Sequence, residues 1–203
     1  MKLYSAHKAP GPRRILLALA EKGISDVEII NIDLAAGDNL TREFQQLNPL
    51  KKVPVLQLDN GTCIAEGGAI YRYLEEICPE PPLLGTTPEE KAITEMWDRR
   101  VELAFLLPVG QCFQHSSGFF KDRMTPVAAW GEECGRQAAA FLPLLEEQLQ
   151  QHTYVAGEHF SVADITTLSA LEFARIIKLR AGDEFPAIQR WYKLMQQRDS
   201  YGA

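Results

Sequence analysis

The residues best placed to do chemistry lie between Asn48 and Ile70, in the run NPLKKVPVLQLDNGTCIAEGGAI. Two short apolar runs, Val53 to Leu58 and Thr62 to Ala65, flank Asp59-Asn60-Gly61. An Asn-Gly step supplies the positive φ of a tight turn, so the spacing predicts an antiparallel hairpin. Pro54 falls inside the first strand, where proline donates no hydrogen bond to a ladder. It marks an edge, a bulge or a cis Val53–Pro54 bond. The Val53 amide and carbonyl are then left to pair with an extended peptide, as an added strand would. Glu66-Gly67-Gly68 opens a helical pattern directly afterwards, setting a carboxylate and backbone N–H groups beside the same edge. The chemistry implied is the holding of a short charged peptide.

This stretch resembles the glutathione-binding half of the thioredoxin-like domain in cytosolic glutathione S-transferases. In that family the residue before a cis-proline pairs with the cysteinyl backbone of glutathione. A Glu/Asp-Ser pair at the next helix start holds the γ-glutamyl end. Val53, Pro54 and Glu66 match, while the serine position holds Gly67. Backbone N–H groups at a helix start still bind a carboxylate there. Lys52, after Lys51, stands where members place a basic or amide side chain for the glycine carboxylate. The plain alternative is an edge hairpin, an ordinary helix start and two solvated lysines. The resemblance implies a cytoplasmic homodimer that joins glutathione, its co-substrate, to a small hydrophobic electrophile. No separate cofactor is implied.

Such an enzyme must favour the thiolate of glutathione, which is the nucleophile. Serine-type and cysteine-type members place the responsible donor in the loop entering the first helix. Counting back from Arg13-Arg14, that position is Ala9, whose side chain donates nothing. Tyrosine-type members use the end of the first strand, which corresponds to Ser5, and His7 lies between. Three readings stand. Ser5 or His7 is the donor; or the Gly11 backbone N–H acts with the partial positive charge of the helix start; or glutathione is bound without being activated. Phe105 and Phe113, with Phe119 and Phe120, fall near the expected cleft and form an apolar electrophile pocket or pack in a core. Two rivals to conjugation remain: glutathione-dependent disulfide or peroxide reduction, and a non-catalytic binding or regulatory protein on the same fold.

The elements that must position these residues are legible in outline. Lys2 to Ser5 is a strand, Arg13 to Lys22 an amphipathic helix closed by Gly23, and Val27 to Ile32 a β-branched run typical of a buried strand. Thr41 to Leu47 is a short helix, and a helix from Gly67 to Ile77 follows the hairpin. The order βαβαββα predicts an α/β domain with a mixed sheet. The proline cluster after Cys78 is a stiff linker, giving a first domain at 1–78, a linker at 79–87 and an all-α domain at 88–203. There, Glu89 to Gln114 is a helix kinked at Pro108. Pro126 to Gln151 is a second, with Phe141, Leu144, Leu145 and Leu149 as its apolar stripe. Ser161 to Arg180 and Pro186 to Arg198 complete the set. Ser161 and Asp164 have the spacing of a capping box, with Phe160 and Ile165 as its hydrophobic staple. Family members carry the same device on a central buried helix, so these two residues receive a structural role.

A net charge of −6 over 203 residues argues against nucleic-acid or anionic-membrane partners. No apolar run has the length of a bilayer span, and Met1 leads into a strand without a signal-peptide layout. Cys63, Cys78, Cys112 and Cys134, like the four histidines, lack metal-ligand spacing. Reduced thiols, a cytoplasmic setting and no metal site are the expectation.

Overall fold

The computed structural model describes residues 1–6 and 9–203. They separate into two units, Met1–Leu83 with Gly202–Ala203, and Leu84–Tyr201. In the first, β1 (Lys2–Ser5), α1 (Pro10–Glu21), β2 (Glu28–Asn31), α2 (Arg42–Leu47), β3 (Val55–Gln57), β4 (Cys63–Ala65) and α3 (Gly67–Ile77) follow one another. The sheet runs β2-β1-β3-β4, with β2 parallel to β1 and both remaining pairs antiparallel. This is the thioredoxin-like order that the sequence predicts. Period-two alternation divides the strands between two faces. Tyr4 and Val55, directly paired, pack with Ile30, Ile32 and Phe44 of α2. Their neighbours Leu3 and Leu56 are fully buried on the other side, as are Ile15 of α1 and Ile70 and Leu74 of α3.

Two local predictions change. The hairpin is shorter than its apolar runs, because β3 starts only at Val55. Its turn is closed by the Gly61 amide on the Leu58 carbonyl at 2.9 Å, and the Asn60 side chain accepts from Thr62 at 2.9 Å. The β-branched run at 27–32 is an edge strand, not a buried one. Pairing on one side alone leaves Ile29 49% exposed, while Ile30 and Ile32 turn to the core.

Lys22 fixes the end of this unit. Its ammonium is buried, pairs with Glu75 at 2.7 Å and donates to the carbonyls of Cys78 and Pro81 at 2.7 and 2.9 Å. All three ammonium donors are thereby used, and α1, α3 and the proline-rich segment are tied together.

The second unit holds α4 (Pro88–Val101), α5 (Leu107–Ser116), α6 (Ala128–Gln151), α7 (Val162–Ala174) and α8 (Pro186–Gln196). A π-helical segment, Glu102–Leu106, stands just ahead of Pro108, where the sequence predicts a kink. Pro108 lacks the N–H for a regular i−4 bond, and a wider turn ahead of it absorbs the mismatch. In α6 the buried stripe is Ala138, Phe141, Leu142, Leu145 and Leu149, whereas Leu144 is 44% exposed. α7 is buried at every position from Val162 to Leu171, as a core helix that is apolar nearly all round must be. Its capping box is formed. The Asp164 carboxylate accepts from the Ser161 amide at 3.0 Å, the Val155 amide at 2.9 Å and the Trp191 indole at 2.8 Å. Phe160 packs on Tyr154 and carries the Arg198 guanidinium 3.7 Å from its ring centroid. Glu146 of α6 accepts from the Ala187 and Ile188 amides, both at 2.9 Å, and so caps α8 from across the bundle. Among the described residues, no helix is long and apolar enough to cross a membrane.

Candidate functional site

The first unit brings three short segments to one place: the start of α1, the loop before β3 and the start of α3. The loop is shaped by Asn48, which is 3% exposed. Its Oδ1 accepts from the Leu50 amide at 3.0 Å and its Nδ2 donates to the Lys52 carbonyl at 2.9 Å. Asn39 holds the adjacent Lys51 carbonyl at 2.7 Å. These bonds leave the side chains of Lys51 and Lys52 exposed and deliver the chain to Val53. The Val53–Pro54 bond is cis, and Pro54 is buried.

Gly11 meets that bond. A Cβ built on Gly11 would lie 3.1 Å from Pro54 Cδ and 3.2 Å from the Val53 carbonyl oxygen, so only glycine allows this approach without a shift. Ala9 is the N-cap of α1 and makes no side-chain cap, and Pro10 and Pro12 carry no N–H. Of the first three helical positions, Gly11 alone therefore offers an amide to whatever lies before the helix.

Glu66 is the N-cap of α3, with φ +69° and ψ 126°. A non-glycine residue in that region is held there at a cost of about 1–3 kcal/mol, and such residues cluster at sites that use the strain. Its side chain is exposed. Behind it Gly67 is buried against Arg14, which is only 5% exposed. A Cβ on Gly67 would come within 2.9 Å of Arg14 Nη2 and 3.1 Å of Cζ. A serine at this position would have to displace the end of the Arg14 side chain. Gly67→Ser is expected to displace Arg14, to lower stability by about 1–3 kcal/mol and to weaken glutathione binding. Melting curves with calorimetry check this. Tighter binding at unchanged stability would show that Arg14 yields its place freely.

The structure thus assembles Gly11, Lys52, Val53, Pro54, Glu66 and Gly67 in one unit. Ser5 is 4% exposed at the end of β1, where its carbonyl accepts from Ile32 at 2.7 Å. His7 lies outside the described residues. Phe113 joins Phe119, Phe120 and Phe173 in one aromatic cluster, with centroids 5.7, 6.0 and 5.8 Å from its own. Phe105 takes the core-packing alternative of its two readings. It is fully buried and stacks on Phe141 at 5.6 Å, since the π-helical segment turns it toward α6. Sequence reasoning missed Asn48 and the role of Arg14. Both left signals: an Asn-Pro pair ahead of a proline-marked strand, and a charge at i on the Leu17, Ala18 face of an apolar helix.

A family model for the glutathione S-transferase N-terminal domain matches residues 1–76, and one for the C-terminal domain matches residues 111–199. The chain belongs to the glutathione S-transferase family. Glutathione S-transferase 2 of Saccharomyces cerevisiae is 39% identical over 203 residues, 98% of this chain and 87% of its own. The crystal structure of Gtt2 from Saccharomyces cerevisiae matches with a TM-score of 0.95 at 38% identity, covering 100% of this chain and 99% of that one. A class Gtt2 glutathione S-transferase of Vibrio parahaemolyticus gives 0.87 at 36% identity, over 100% of this chain and 96% of its own. This glutathione S-transferase is therefore an enzyme of the transferase class.

Proposed function

We infer that this glutathione S-transferase binds glutathione along Val53, with the cysteinyl backbone paired to the Val53 amide and carbonyl. The γ-glutamyl end lies at Glu66 and the start of α3, and the glycine carboxylate is near Lys52. The observation that carries this reading is Glu66, an exposed carboxylate held at positive φ on a helix start next to the Pro54 edge. The thiol is placed toward the start of α1, where the Gly11 amide and the helix's partial positive charge favour the anion. The proton goes to solvent. The thiolate then forms the C–S bond while the leaving group, or a conjugated carbonyl, takes the displaced electron pair. The aromatic cluster around Phe113 supports an apolar electrophile, and the enzyme works as a cytoplasmic homodimer.

The deciding experiment is a titration of the thiol of bound glutathione by thiolate absorbance. A value below that of free glutathione is expected in the wild type and should persist in Ser5→Ala and His7→Ala. Activity with an aromatic halide should fall less than about tenfold in either variant. Gly11→Ala should raise the bound value, because its methyl group pushes the helix start off Val53. A return to the free value in Ser5→Ala or His7→Ala would transfer the donor role to that side chain. A wild-type value equal to that of free glutathione would favour a binding protein over a transferase.

A further inference from the structure

In the helical unit α5 and α6 run side by side in a fixed register. His115 Nδ1 accepts from the Val127 amide at 2.9 Å, and the Trp130 indole donates to Gln111 at 3.2 Å. A Cβ built on Gly131 would lie 3.1 Å from His115 Cβ. One built on Gly135, a turn further along α6, would lie 3.3 Å from Cys112 Sγ. Positions fall along α5 as they rise along α6, so the two helices are antiparallel and the Cys112 sulfur seats on α6 at Gly135. Cys134 is the residue before it. With Gly131 and Ala138 it forms a buried row at i, i+3 and i+7, on the face of α6 that meets α5. The two thiols thus lie on facing surfaces of the helix pair, Cys134 only 1% exposed and Cys112 half-buried.

The pair is unequal. Burial pushes the Cys134 thiol up, and Cys112 beside it adds to the rise, so Cys134 is held as a neutral thiol. Cys112 is the more accessible of the two and is the sulfur that a reagent from solvent meets first. A sulfenic acid formed there has a second thiol at hand, and that is the arrangement in which oxidation stops at a disulfide. Cys112 also directly precedes Phe113, the centre of the aromatic cluster. A bond between Cys112 and α6 would fix the stretch of α5 that carries this ring.

We propose that Cys112 and Cys134 form an oxidisable dithiol, a modification site that reacts with hydroperoxides to give a disulfide joining α5 to α6. In the first step the Cys112 thiolate attacks the peroxide. An S–O bond forms, the O–O bond breaks, and the departing oxygen takes a proton and leaves as an alcohol, or as water from hydrogen peroxide. In the second step the Cys134 sulfur attacks the Cys112 sulfur. The S–S bond forms, and the hydroxyl leaves with the Cys134 proton as water. Two thiols are oxidised by two electrons and one peroxide is reduced by two. The site shares no residue with the glutathione position and stands whether or not that assignment holds.

The test exposes the reduced, full-length protein to hydrogen peroxide in the absence of glutathione. Remaining thiols are then alkylated under denaturing conditions and the peptides are weighed. A Cys112–Cys134 linked peptide is expected, which dithiothreitol cleaves, with Cys63 and Cys78 still recovered as alkylated thiols. The linked protein should melt several degrees above the reduced one, because the bond restricts the unfolded chain. In Cys134→Ser the link should vanish and Cys112 should be captured by dimedone as its sulfenic acid. In Cys112→Ser, Cys134 should stay reduced under the same conditions. The wild-type result stands by itself should either variant fold poorly. Cys112 driven to the sulfinic acid while Cys134 is recovered alkylated, a link to Cys63 or Cys78, no reaction at all, or a linked protein that melts lower overturns the proposal.

Discussion

Asp164→Ala is expected to destabilise the helical unit by about 3–5 kcal/mol, well beyond the cost of an ordinary lost cap. The carboxylate is fully buried and gathers donors from three stretches of chain: Val155 before α7, Ser161 at its cap and Trp191 on α8. Alanine would leave two backbone amides and an indole N–H buried without acceptors, each costing about 1–3 kcal/mol. Asp164→Asn should fall between the two, since its oxygen still serves Val155 and Trp191 while its NH₂ faces the Ser161 N–H. Urea unfolding at fixed protein concentration gives the order. An alanine variant as stable as the wild type would show that α7 and α8 are held by packing alone.

The same carboxylate should leave a mark on the pH profile. Burial pushes its pKa up to about 6, from an ordinary 3.8, against the opposing pull of its hydrogen bonds from Val155, Trp191 and Ser161. The folded protein therefore holds this proton more tightly than the unfolded chain between about pH 4 and pH 6. Asp164's contribution to stability falls as pH rises through that window and is level above it. Glu90, lowered to about 2 by hydrogen bonds from Thr86 and Thr87, acts in the opposite sense, as do Asp122, Glu133 and Glu158. These four are present in the Asn variant as well. The difference between the wild-type and Asp164→Asn curves should thus shrink from pH 4 to 6, and a flat difference would contradict the assignment.

What the sequence disclosed follows the range of the forces involved. The order of strands and helices, the hairpin and the α7 capping box rest on neighbours a few residues apart, and all appear in the fold. Burial of a strand depends on what lies beside it, which is why the β-branched run at 27–32 proved to be an edge. The facing of Phe105 was left open between pocket and core because a single wide turn before Pro108 sets the direction of every side chain within it, and no local pattern announces that turn. Pro54 and Glu66 were legible because proline and a helix start carry their backbone consequences in their own chemistry. The Arg14–Gly67 packing was not, since it joins two helices more than fifty positions apart in the chain.

Replacement of Glu66 should move stability and binding in opposite directions. Glycine adopts φ +69° without the steric cost that glutamate bears, so Glu66→Gly relieves about 1–3 kcal/mol of strain. Glycine's extra freedom in the unfolded chain returns about 0.5–1 kcal/mol of that. The variant should therefore melt at or above the wild-type temperature. Its glutathione affinity should fall by about 1.5–3 kcal/mol, roughly tenfold to 150-fold in Kd, because a charge-assisted hydrogen bond to the γ-glutamyl amino group is gone. Glu66→Gln, which keeps both the backbone strain and a hydrogen-bonding side chain, should retain wild-type stability and lose less affinity. Calorimetry and melting curves on the three proteins separate the possibilities. If glycine lowers stability and binding together, the positive φ is held by packing and owes nothing to the ligand. If it raises stability and leaves binding intact, Glu66 is no part of the glutathione site. Greater stability with weaker binding is the result that a strained carboxylate kept for its ligand must give.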